Sequence, residues 1–126
     1  MQISRLDHLV LTVNDIETSL SFYQRVMNME VVSFGDGRKA LKFGSQKINL
    51  HQRGKEFKPN AQHAQAGSAD LCFISETPLN DIEAHLARQR VVVEEGPVQR
   101  TGAVGNILSI YFRDPDGNLI EVANYL

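Results

Sequence analysis

Apolar residues recur at every second position through Leu9, Leu11 and Val13, then at every third or fourth through Ile16, Leu20, Tyr23 and Met27. That change of period predicts a strand over residues 5–13, then a helix to about residue 28. Asn14 is expected to cap the helix, with Glu17 reaching back to complete a capping box. Three extended runs follow at about 29–35, 38–44 and 46–52, separated by Gly35-Asp36-Gly37 and Gly44-Ser45, where glycine permits tight reversals. Residues 53–67 are polar and interrupted by Gly54, Pro59 and Gly67, so they read as a connector longer than usual. The order then repeats. A strand is expected at 68–75, then a helix capped by Thr77 with Pro78 at its first position and a stripe of Leu79, Ile82 and Leu86. Strands at about 91–95, 107–113 and 118–125 complete the copy, with Gly96 to Asn106 as a glycine-rich loop. The chain is thus α+β, a tandem of two βαβββ modules at about 1–58 and 65–126 forming one domain, with a curved mixed sheet around a cleft.

The strands carry misplaced polar groups. Glu121 interrupts the last strand beside Ile120 and Val122, after a turn set by Asp114-Pro115-Asp116-Gly117. A carboxylate there must be solvated, paired or bound to a cation, because desolvating it alone is very costly. Overlaying the modules sets His8 against Asp70 and Asn49 against Glu121, all polar, while Leu9, Leu11, Ile48, Leu50, Leu71, Phe73, Ile120 and Val122 form the opposite, apolar faces. His51 shares the face of Asn49. These five residues are expected in the cleft. His63 in the connector and His85 beside the second helical stripe are expected to be exposed, and Cys72 to be a small buried residue.

Composition narrows the partners. The 126 residues carry 13 basic and 15 acidic side chains, a formal charge of -2 with no long single-sign run, which gives no electrostatic case for nucleic acid or a membrane surface. A small-molecule partner is expected. The apolar runs are of strand length rather than membrane length. One cysteine rules out an intrachain disulfide and suits the cytoplasm. Each half is small for enclosing a cleft and leaves a sheet edge to cover, which predicts a homodimer.

Asp7-His8-Leu9-Val10-Leu11-Thr12-Val13, the helical Ser21-Phe22-Tyr23 and the closing Tyr111 to Glu121 segment resemble the vicinal oxygen chelate superfamily, which includes glyoxalases, bleomycin-resistance proteins and extradiol dioxygenases. Arg38-Lys39-Ala40-Leu41, Asn49-Leu50-His51, Gly54-Lys55-Glu56-Phe57 and Glu95 to Gly102 are similar, more narrowly, to the glyoxalase domain-containing protein 5 type. The resemblance implies a divalent metal ion (Zn, Ni, Co, Mn or Fe) on His8, Asp70 and Glu121. His51 would supply a second imidazole, since Asn49 and Asp70 depart from the superfamily's usual ligands. It also implies a cleft shared across the dimer. Asp70 or Glu121 would move a proton while the metal held two adjacent oxygens of the substrate, with Asn49, Arg100, Tyr111 and Arg113 in contact with that substrate. The implied function is a glyoxalase-like lyase or isomerase acting on a small oxygenated metabolite. The rivals are a metal-free binding or sequestering protein and a ring-cleaving dioxygenase.

Overall fold

The computed structural model describes residues 1–126. The chain divides into two compact units, Met1–Ala66 and Gly67–Leu126, and each repeats the βαβββ order. No helix is long and apolar enough to cross a membrane.

In the first unit β1 (His8–Val13), α1 (Ile16–Met27), β2 (Glu30–Phe34), β3 (Arg38–Phe43) and β4 (Gln46–Gln52) build a sheet of order β1-β4-β3-β2. The β1 and β4 strands run parallel, because the helix and the β2-β3 hairpin intervene, while the hairpin-linked neighbours are antiparallel. One sheet face buries Leu11, Val13, Leu41, Ile48 and Leu50, and α1 contributes Leu20, Tyr23 and Val26 to the buried set. The helix begins one residue later than expected. Asp15, not Asn14, is the cap, accepting from the Thr18 amide at 2.9 Å and the Thr18 hydroxyl at 2.6 Å. Asn14 instead accepts from Arg53 Nη1 at 3.2 Å, and its carbonyl accepts from Gln52 Nε2 at 2.6 Å. Contacts with β4 thus hold Asn14 just outside the helix.

In the second unit β5 (Asp70–Ile74), α2 (Leu79–Arg88), β6 (Glu95–Thr101), β7 (Asn106–Arg113) and β8 (Leu119–Tyr125) give the matching order β5-β8-β7-β6. The repeat extends to register: His8 stands opposite Lys47, two residues before Asn49, and Asp70 stands opposite Leu119, two before Glu121. Two expectations fail here. Thr77 does not cap α2; Pro78 occupies that place without a side-chain bond, and Asn124 Nδ2 donates to the Ser75 and Thr77 carbonyls at 2.9 Å each. Residues 91–93 form no strand, for the Val91 amide closes back on Leu86 O at 2.9 Å. The ladder starts at Glu95 and runs through half of the expected loop to Thr101. A register shift between Glu95 and Val98 takes up Gly96-Pro97. Gly96 has φ +107, and a Cβ there would lie 2.4 Å from Ser109 O, so no side chain fits.

The turn into β8 is a hydrogen-bonded knot. Asp114, 5% exposed, accepts from the amides of Asp116 and Asn118 at 2.9 Å and from Asn118 Nδ2 at 2.7 Å, while Asn118 Oδ1 accepts from the Ala69 amide at 2.8 Å. These bonds tie the start of β8 to the start of β5 and fix where Glu121 emerges.

Candidate functional site

The strand registers lay the polar face of the first sheet out in three rows. One row runs His8, Lys47, Lys42, Glu30; the next Val10, Asn49, Ala40, Val32; the third Thr12, His51, Arg38, Phe34. His8 is exposed at the sheet edge, and its Nδ1 lies 2.8 Å from Asp7 Oδ2. That bond holds the Asp7 carboxyl below its ordinary pKa. In the tautomer that donates Nδ1–H to Asp7, Nε2 carries the free lone pair, which is the arrangement that carboxylates give to metal-ligating imidazoles.

His51 lies in other company. It is 3% exposed, its Nε2 is 3.4 Å from Arg38 Nη2, and its ring meets Phe57 edge-on at 5.4 Å. Burial, and then the Arg38 guanidinium, hold the imidazole below its ordinary pKa, against a smaller opposing pull from Glu56. A cation placed on that Nε2 would face a guanidinium. Asn49, 6% exposed, has an Oδ1 with no hydrogen-bond partner.

On the second sheet, the face shared by Asp70, Cys72, Glu121, Tyr111 and Ser109 follows from the pairing of Cys72 with Glu121, Glu121 with Tyr111 and Ala123 with Ser109. The fully buried Ser109 hydroxyl donates to Glu121 Oε2 at 2.5 Å. Cys72 also touches Glu121. Far from being buried as expected, Cys72 is exposed. Lost hydration at the sulfur, then the charge of Glu121, push its thiol up to about 11. Asp70 is exposed, and its carboxylate accepts no side-chain hydrogen bond.

A pocket of about 380 Å³ adjoins Glu121, walled by Cys72, Ile74, Arg100, Ala103, Ile107 and Tyr125. Tyr125 Oη accepts from the Val104 amide at 3.2 Å and so holds the β6-β7 turn over it. Arg100 lines the pocket, but its Nε donates to Tyr111 Oη at 3.0 Å and its Nη2 lies 3.3 Å from Glu95 Oε1. Arg113 is taken up by Glu94 through two bonds of 3.0 and 3.1 Å. His63 is exposed as expected, whereas His85 is half-buried.

Imidazole nitrogen and carboxylate oxygen are donors that suit a divalent ion of intermediate hardness. His8 with its Asp7 support, in the first unit, and Glu121 with its Ser109 support, in the second, are each a donor of that kind. Within neither unit do three His, Cys, Asp or Glu side chains gather into a cage. The sequence reading did not single out Asp7, Ser109, Arg38 or Phe57. Asp7 was legible as the acid beside His8; Ser109 becomes visible only once β7 and β8 are in register.

Residues 5–122 match the family model described as the Glyoxalase/Bleomycin resistance protein/Dioxygenase superfamily. The chain is 56% identical to virulence protein STM3117 of Salmonella typhimurium over all of its own length and 88% of that protein's. The crystal structure of STM3117 superposes with a TM-score of 0.99, covering 100% of both chains. An integron cassette protein from the mobile metagenome of V. cholerae is 63% identical, with a TM-score of 0.98 over 100% of this chain and 98% of that one. More distant is the metallothiol transferase FosB of Staphylococcus epidermidis, 27% identical over 97% of this chain and 82% of that protein.

Proposed function

From the premise that the chain belongs to the glyoxalase/bleomycin resistance protein/dioxygenase superfamily, we propose that it is a metal-dependent enzyme of glyoxalase-like lyase or isomerase type. Its substrate is a small oxygenated metabolite that binds through two adjacent oxygens. The observation that carries this reading is the Asp7-His8 pair, which prepares an exposed imidazole for ligation. That the relative FosB is named a metallothiol transferase supports this reading.

His8, Asp70 and Glu121 are the proposed ligands. A divalent ion bound to them would act as a Lewis acid on the substrate oxygens. The two carboxylates differ in a way that suggests separate roles. Glu121 is oriented by Ser109 and Cys72, as a fixed ligand needs to be. Asp70 is exposed and accepts no side-chain hydrogen bond, so it is the more loosely held of the two and is proposed to be the one that, when not engaged by the ion, takes a proton from the substrate and returns it. The 380 Å³ pocket would receive the rest of the molecule against Ile74, Ile107 and Tyr125. We further propose a homodimer in which His8 and Glu121 of different subunits act together. Mixing His8→Ala with Glu121→Ala protein should then restore metal binding that neither has alone.

Thermal unfolding with and without added Mn, Fe, Co, Ni or Zn tests the reading. An ion at a hundred times its dissociation constant should stabilise the protein by about 2.7 kcal/mol, and His8→Ala should abolish the effect. A second reading, a metal-free binding protein, draws on the lack of a three-ligand cluster within either unit. It predicts no response to any of the five metals.

A further inference from the structure

We propose that Arg38 is the anchor of a carboxylate-binding site on the first unit, with His51 and Phe57 as its walls. The guanidinium carbon lies 5.0 Å from the Phe34 ring centroid and 4.4 Å from that of Phe57, and Nη2 lies 3.4 Å from His51. No carboxylate reaches it. The chain's ion pairs join His8 to Asp7, Arg100 to Glu95 and Arg113 to Glu94, so the two arginines of the second sheet are matched and the half-buried one of the first is not.

One further observation points to an absent ligand. Arg38 Nε is buried with no acceptor, and an unsatisfied buried N–H is costly, so it is a donor that a carboxylate oxygen would satisfy. Lys47 Nζ, 3.8 Å from the Phe34 ring, adds positive charge beside it. With aromatic rings against the guanidinium, the approach left to a ligand is in its plane, and a carboxylate fits that planar fork with two parallel bonds. By register His8 and Arg38 are two strands and four residues apart, roughly 16 Å between backbone positions. The site is therefore separate from an ion on His8, does not rest on the metal reading, and takes a small carboxylate of its own.

The test is an NMR titration of the His51 ring signals with benzoate, using neutral benzamide as the control. Benzoate should shift the signals saturably with a millimolar dissociation constant, and benzamide should not. Arg38→Gln should weaken binding by about tenfold or more. Arg38→Lys, which keeps the charge and the fold but loses the planar fork, should weaken it similarly while the amide spectrum away from the site is unchanged. His8→Ala should leave the titration as it is. The proposal is overturned by an unsaturable response in the parent protein, by equal responses to benzoate and benzamide, by full binding in Arg38→Lys, or by a loss in His8→Ala as large as that in Arg38→Lys.

Discussion

The two sheets share a topology and a register but not a chemistry. On the polar face of the first, Lys42, Lys47 and Arg38 outnumber Glu30, and Arg38 has no acid within reach. On the second, Asp70, Glu95 and Glu121 share the face with Arg100 and Arg113, and each arginine is paired with a glutamate. Where Asn49 sits in the first unit, Glu121 sits in the second, braced by a buried serine. The repeat conserves where side chains emerge, and substitution at those points decides what each sheet offers a ligand. The first offers an imidazole and cations; the second offers carboxylates and a pocket.

The largest effect should come from the turns that set those emergence points. In the first unit a bare Gly44-Ser45 reversal leads into β4, whereas the second relies on Asp114. Asp114→Ala would strand the Asn118 amide and side chain, and should lower unfolding free energy by about 3 kcal/mol in denaturant titrations. Ser45→Ala, at the matching place, should stay within about 0.5 kcal/mol. Equal losses would show that the two turns bear the same load.

A smaller effect concerns the acid character of the second face. The Cys72 thiol, held at about 11, should react slowly with a thiolate-selective reagent at neutral pH and faster as pH rises. Removing the Glu121 charge by Glu121→Gln should move that rate profile to lower pH. An unmoved profile would mean that Glu121 does not govern Cys72.

On the first face the imidazole with a displaced pKa is His51. Its folded pKa is depressed below the ordinary 6.5, so protons bind the unfolded chain more tightly. Its contribution is complete above that unfolded value and is lost as pH falls through it toward the depressed folded one. In His51→Gln the pH dependence of stability just below neutrality should be flatter, as measured by denaturant midpoints. The smallest effect is expected at the exposed Glu94-Arg113 pair, where Arg113→Ala should leave the denaturant midpoint almost unchanged.

Much of this was legible because alternation is a strong signal. Ile120, Glu121 and Val122 place a carboxylate opposite two apolar side chains, and Leu9, Leu11 and Val13 do the same for His8. The expected match of Asn49 with Glu121 agrees with the strand registers. What escaped was structure that local residues disguise or that distant ones create. Gly96-Pro97 punctuates β6 so strongly that the strand resembles a loop, and only the bulge against β7 reconciles them. The Asn14 and Thr77 caps were displaced by bonds from Gln52, Arg53 and Asn124, far away in sequence. The Arg38 cluster needs Phe57 from the connector and the pairing of Phe34 with Arg38 across the β2-β3 hairpin.

The central claim is that His8 and Glu121 hold a divalent ion, and calorimetric titration of chelator-treated protein with Mn, Fe, Co, Ni or Zn tests it most directly. The account predicts saturable binding of at least one of these metals, lost in both His8→Ala and Glu121→Gln but kept in His51→Gln. Absence of binding by all five, or binding that survives both substitutions, would contradict it.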